Sequence, residues 1–171
     1  MKFKPNTCGH CHQTTNYDVT LSRGAATFLI AFYNAVRRLD RNMIHFGNDM
    51  VRDSHDFNNL RDMVEGGWCT HKMSEGFGTV LHRHGLIAST GHNQWLLTPK
   101  GAAFLRGEEI WKTAIADKTT GHQSGYWESN GKVKLITLLK TDAPWWEMPA
   151  APEQEVFHTQ SLFTHPSTVT V

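Results

Sequence analysis

The sequence predicts an α+β fold: three helices, a pair of short strands, a closing helix and a β-rich extension. Three observations carry that prediction. Leu21, Ala25, Phe28, Leu29, Phe32, Val36 and Leu39 recur at helical spacing over residues 20–41. Two short apolar runs, 86–89 and 94–98, flank the turn-forming stretch Thr90-Gly91-His92-Asn93. Further on, Asn130-Gly131 stands between residues 126–129 and 132–139, and Asn-Gly is a strong hairpin signal because both central residues of a type I′ turn need positive φ.

Taken in order, the first helix has Thr20 or Ser22 as its N-cap and Arg37, Arg38 and Arg41 near its C-terminal end, where cations suit the helix dipole. Residues 43–51 are ambiguous and accommodate a small strand. Ser54 is the expected cap of a shorter helix with Phe57, Leu60 and Val64 inward, stopped by Gly66-Gly67. A third helix is expected over 71–84, with Met73, Phe77, Val80 and Leu81 on one face and Gly85 past its end. Gly76 and Gly78 fall inside it, each costing about 1 kcal/mol relative to Ala. Either that helix starts near Phe77 or something approaches its backbone closely. Pro99 suits the first position of a fourth helix capped by Thr98 and ended by Gly107. Residues 108–141 then read as a three-stranded antiparallel addition. From 142 onward, prolines and acidic residues with Trp145, Trp146, Phe157 and Phe163 but no periodicity suggest an extended arm or a disordered tail. The expected divisions are 1–19, 20–107, 108–141 and 142–171.

Composition narrows the function classes. With 171 residues, 39% of them hydrophobic, the chain is long enough to bury a core, which excludes fibrous and wholly disordered classes. The net charge of +1 hides an asymmetry: residues 1–107 carry +4 and residues 108–171 carry −3. The mildly basic front half is compatible with phosphate binding but does not demand it. The start of the chain reaches Cys8 without an apolar run, and the most apolar stretch, 25–36, is too short to span a bilayer. A cytoplasmic protein with no membrane partner is the expectation.

Eleven histidines and three cysteines point towards metal or pH chemistry rather than a disulfide scaffold. Cys8-Gly9-His10-Cys11-His12 has the C-x2-C spacing that brings two thiolates to one zinc ion. The remaining cysteine lies in Trp68-Cys69-Thr70-His71, so Cys8, Cys11, Cys69 and His71 would complete a closed Cys3His site, with His12, His10 or His45 as alternatives to His71. The competing reading has ordinary reduced thiols near the N-terminus and Cys69 as a small buried hydrophobe beside Trp68. A redox C-x2-C is disfavoured because no β-α-β pattern surrounds the pair.

The order of elements resembles the winged helix-turn-helix family over residues 20–107. The segment from Leu86-Ile87 through Trp95-Leu96-Leu97-Thr98-Pro99-Lys100-Gly101-Ala102-Ala103-Phe104-Leu105 looks like that family's wing and closing helix. With the N-terminal zinc knuckle, the chain is similar to small phage-encoded proteins. The resemblance implies that the third helix is a recognition helix entering double-stranded DNA. Lys72, Ser74, Thr79, His82 and Arg83 would lie off its apolar face, His92 and Asn93 on the wing, and Lys100 at a helix start suited to phosphate. A transcription regulator is the first expectation. The second is an adaptor or inhibitor that engages a host protein, such as a polymerase or nuclease, through the same scaffold. Oligomeric state stays open, with a homodimer among the options.

No nucleophile elbow, phosphate-binding glycine loop or zinc-protease motif is present, so an enzyme is not expected. His82 and His84, two apart, would face different directions on a helix and make a poor metal pair. The acidic, aromatic C-terminal arm suggests either a partner-binding segment or one that folds over the basic helix face. The plainer alternative is a loose tail, or one packing its tryptophans on the added sheet.

Overall fold

A computed structural model of the chain describes residue 10 and residues 16–152. Its elements are helices packed with small antiparallel sheets, an α+β arrangement. The first element is a strand, β1 (Asn16–Thr20), so Thr20 ends a strand rather than capping a helix. Ser22 is the cap of α1 (Arg23–Leu39): its hydroxyl accepts the amide proton of Ala25 at 3.1 Å. Helix α1 is the centre of the molecule. Phe28, Leu29, Ile30, Ala31 and Phe32 are all fully buried, and small side chains at Ala25, Ala26 and Ala35 let neighbours approach. Asp40, in the left-handed region at φ 49°, terminates it.

The ambiguous stretch after α1 resolves into a short strand, β2 (Met43–His45), and one π-helical turn over Phe46–Met50. The second helix departs from expectation. Ser54 opens only a single 3-10 turn with no side-chain cap bond, and the α-helix proper, α2 (Leu60–Glu65), starts at Asn59, whose side chain accepts the amide of Asp62 at 2.9 Å. A six-residue helix buries only a narrow stripe. Met63 and Val64 take it, and Leu60 is turned outward at 61% exposure.

Helix α3 (His71–Arg83) matches its expected span, capped by Thr70 and followed by Gly85 at φ 71°. One of its two internal glycines has the close neighbour that a buried glycine implies. A Cβ on Gly78 would lie 2.8 Å from Cε2 of Phe46, whereas one on Gly76 would meet nothing within 4 Å. Strands β3 (Ile87–Gly91) and β4 (Gln94–Leu97) then form a hairpin whose tip residues His92 and Asn93 sit at φ 51° and 60°. β2 adds to its far side, giving the antiparallel order β2-β4-β3 with Ile44 and Ser89 both opposite Trp95. Thr98 caps α4 (Pro99–Leu105), with Pro99 at its first turn.

The β-rich extension contains the expected three-stranded sheet, but not from the expected strands. β6 (Thr113–Asp117) is central, flanked by β7 (Gln123–Tyr126) and by β1 from the front of the chain. Asn130-Gly131 does not close a long hairpin. Glu128–Asn130 is a 3-10 turn, β8 (Lys132–Val133) pairs only with β5 (Ile110–Trp111), and the next apolar run is a helix, α5 (Leu135–Leu139). Leu135 and Leu139, four apart, are buried together on one helical face, and that burial overrides the strand-like composition.

Residues 142–152 have no regular element, as an extended arm would, but they are docked rather than loose. Trp146 is 7% exposed and belongs to the main core, where its Nε1 donates to the carbonyl of Leu105 at 3.0 Å. Arg37 pairs with Glu147, and Arg106 donates to the carbonyl of Ala150 at 3.3 Å. The tryptophan therefore packs in the main core, beside the C-terminal end of α4. Residues 153–171, with Phe157 and Phe163, lie outside the described residues.

Candidate nucleic-acid interface

The π-helical turn, α3 and the β3–β4 hairpin meet around one aromatic stack. The rings of Phe46 and Trp95 lie parallel with centroids 5.1 Å apart, and Phe28 and Phe32 present edges to Phe46 at 5.4 and 5.9 Å. On the other side, the imidazole of His82 meets Trp95 at 5.2 Å. This stack fixes the hairpin against the helix, because Phe46 reaches α3 only where Gly78 leaves room. Between them runs a cleft of about 440 Å3, lined by Gly47, His71, Ser74, Glu75, Thr79 and Asn93.

Some of the residues nominated from the sequence come together here. Ser74 and Thr79 face the hairpin residue Asn93 across the cleft, His92 is exposed at the hairpin tip, and Lys72 is exposed on α3. The two hydroxyls donate to carbonyls of their own helix, Ser74 to His71 at 2.9 Å and Thr79 to Glu75 at 3.0 Å. Their oxygens remain available as acceptors. Asn93 accepts the indole proton of Trp95 at 3.3 Å. His82 is half-buried against Trp95, with Nδ1 3.4 Å from the carbonyl of Ile87.

Arg83 and Lys100 are not brought to this cleft. Arg83 is half-buried and points into the β1-β6-β7 sheet, donating from Nε to the hydroxyl of Tyr17 at 2.7 Å and from its terminal nitrogen to the carbonyl of Gly121 at 2.6 Å. Lys100 donates to the carbonyl of His84 at 2.7 Å and to the hydroxyl of Tyr126 at 2.9 Å. Both cations are fastened to the extension, whose contact with α3 a pattern of local residues does not reveal.

A second group of cations was not foreseen. The guanidinium carbons of Arg38 and Arg52 lie 3.7 and 3.6 Å from the centroid of Trp68. Arg38 also donates to the carbonyl of Asp49 at 2.6 Å, and Arg41 pairs with the Asp49 carboxylate. Burial, with the nearby charge of Arg52 second, holds the Arg38 guanidinium below its usual pKa. Backbone pairing assembles the group. Residues 50–52 run beside Cys69, whose amide donates to Met50 at 2.7 Å and whose carbonyl accepts from Arg52 at 3.0 Å. Arg38, Arg52 and Trp68 are far apart in sequence and on no common period, so no local signal links them.

Of the nominated metal ligands, Cys8, Cys11 and His12 lie outside the described residues. Cys69 is fully buried in the core, and burial pushes its thiol up to about 12. His71 is the exposed first residue of α3, His10 is exposed, and His45 accepts the amide of Asn48 through Nδ1 at 3.1 Å. Among the described residues, no group of three or more His, Cys, Asp or Glu gathers as a metal site would require. Among them, too, no helix is long and apolar enough to cross a membrane. No family model matches the chain, and neither a curated protein nor a solved structure matches it.

Proposed function

We propose that the chain is a non-enzymatic winged helix-turn-helix protein that binds double-stranded DNA, in keeping with a role in transcription regulation. One observation carries the reading: α3 and the β3–β4 hairpin bound a single cleft of mixed polar and apolar lining, and β2, between α1 and α2, completes the hairpin's sheet. In this reading Ser74 and Thr79 face base edges, whose amino groups their oxygens can accept from, Lys72 supplies charge, and His92 and Asn93 reach the adjacent groove. Arg83 and Lys100 take no part. The test is the anisotropy of a labelled duplex titrated with the protein at increasing salt. Binding that weakens steeply with salt supports the reading, with Lys72→Ala lowering the slope of log K against log salt by about 1. No binding at low salt overturns it.

A protein partner is favoured by a different feature. An apolar groove of about 880 Å3 is lined by Leu60, Val64, Met73, Phe77 and Trp145, with Arg23 and Arg61 also on its wall. Leu60 and Trp145 are 61% and 44% exposed there. Shape and the Arg23 guanidinium suit an apolar peptide segment flanked by a carboxylate, Arg61 being paired with Glu65 at 2.6 Å. Titrating the protein with a synthetic Leu/Phe-rich, Glu-flanked peptide tests this. Binding lost in Leu60→Asp supports the groove, whereas equal binding to both proteins contradicts it.

Zinc remains a separate proposal, supported by the Cys8-x2-Cys11 spacing with Cys69 and His71 as the completing pair. Against it stands the burial of Cys69 among apolar neighbours, which favours the thiol over the thiolate a zinc ligand must be. Native mass measurement before and after chelation decides: one zinc per chain supports it, and a folded metal-free mass contradicts it.

A further inference from the structure

We propose that Arg38 and Arg52, stacked on opposite faces of Trp68, form a phosphate clamp that holds a nucleic-acid backbone beside the α3 cleft without reading its sequence. The clamp rests on the DNA-binding reading and assigns the phosphate grip to residues other than Arg83 and Lys100.

Two guanidinium carbons within 3.7 Å of one ring centroid cannot share a face without colliding, so the indole lies between them. Stacking occupies the flat face of each guanidinium and leaves its N–H edge directed outward, the geometry that matches a phosphate oxygen pair. It also fixes long side chains before any ligand arrives, which reduces the ordering cost of binding. Arg38 is held further by its bond to the Asp49 carbonyl, which uses only one of its five donors.

The local charge balance leaves these cations without a direct ion pair, although the charge of Asp49 is felt at Arg38. Asp49 is the carboxylate engaged in the group, and it is already occupied: one oxygen pairs with Arg41, and the other accepts the amide of His45 at 2.7 Å. Among the described residues neither Arg38 nor Arg52 has a carboxylate within 4.0 Å. Both residues are exposed overall, the desolvated part of Arg38 being what lies against Trp68. Two like charges held on one ring repel, and an anion bridging their edges relieves that repulsion.

The same geometry selects the kind of contact. A nucleobase stacks on an open aromatic face, and Trp68 offers none because both are covered. Phosphate is what remains for the guanidinium edges. Its position is also suitable: Arg52 directly follows Val51, and Val51 lines the α3 cleft together with Phe46 and Gly47 of the π-helical turn. A backbone held there would be positioned, and not read, by the clamp.

The experiment compares wild type, Arg38→Gln, Arg52→Gln and the double variant on two duplexes of unrelated sequence across a salt series, with thermal melts confirming that each is folded. The clamp predicts that the double variant weakens binding to both duplexes by the same factor, about tenfold or more at low salt. It also predicts that the slope of log K against log salt falls by about 2. If wild type binds and the double variant keeps its slope, the clamp is wrong and the DNA reading stands. If wild type binds neither duplex, the DNA reading fails, and tripolyphosphate titrated by calorimetry decides the anion site alone. Binding by wild type that is lost in the double variant sustains it, and no binding overturns it.

Discussion

His84 and Val19 are joined by a buried hydrogen bond of 2.8 Å, Nε2 to carbonyl oxygen, across the junction of α3 and β1. A carbonyl only accepts, so Nε2 carries the proton and Nδ1 is the bare acceptor. Nδ1 is buried with no partner. Burial drives the His84 pKa down to about 4; the Val19 bond opposes this, and the charge of Lys100 adds to it.

That depression sets a pH dependence. The unfolded chain takes up a proton on this imidazole near pH 6.5, and the folded chain only near 4, so the folded state binds fewer protons between those values. The contribution is fully present above pH 6.5 and is lost as pH falls through 4, roughly 3 kcal/mol in all. Urea unfolding at pH 7.0, 5.5 and 4.5 should show falling stability, and His84 should titrate well below 6.5 by NMR. A His84 titration near 6.5 contradicts this.

Arg83 separates stability from binding. Its two bonds, to Tyr17 and Gly121, tie α3 to the β1-β6-β7 sheet, and Arg83→Ala leaves a half-buried hydroxyl and carbonyl without their donor. The expected cost is about 1–3 kcal/mol in denaturant unfolding. The salt slope of duplex binding should not change, because Arg83 lies outside the cleft.

The two neighbouring tryptophans should behave oppositely. Trp146→Ala empties a core site and removes the bond to Leu105, costing about 3–5 kcal/mol. Trp145→Ala, at a site 44% exposed, should fall within about 1 kcal/mol of wild type by chemical unfolding. Equal effects at the two positions would contradict the docking of residues 142–152.

The glycines of α3 make a similar pair. Gly76→Ala meets open space and should stabilise by about 0.5–1 kcal/mol through helix propensity. Gly78→Ala drives a methyl against Phe46 and should destabilise despite the same propensity gain, with its effect visible in the melting temperature and in the near-ultraviolet signal of the aromatic stack.

What the sequence made legible was local. The apolar period of α1, the Thr98 cap and the turn at residues 90–93 are short-range chemistry, and each was readable without knowing the fold. Asn59 was overlooked beside Ser54 because both are good caps, and only the packing of Met63 and Val64 selects between them. Leu135 and Leu139 carry strand-like composition, and their burial against α1 makes them helical. In the candidate site, Ser74, Thr79 and Asn93 were found because they belong to adjacent elements. Arg83 and Lys100 were misplaced because their partners, Tyr17, Gly121 and Tyr126, come from strands distant in sequence. The stack of Arg38 and Arg52 on Trp68 was invisible for the same reason.

The central claim is that duplex DNA occupies the cleft between α3 and the β3–β4 hairpin, and amide chemical-shift mapping during a duplex titration tests it most directly. The account predicts the largest shifts at Lys72, Ser74, Thr79, His92 and Asn93, with the Arg38 and Arg52 side-chain Nε–H signals moving in parallel. The amides of residues 113–126 should stay in place. Shifts centred on Arg83, Lys100 and the β1-β6-β7 sheet, or no shift at any duplex concentration in low salt, would contradict it.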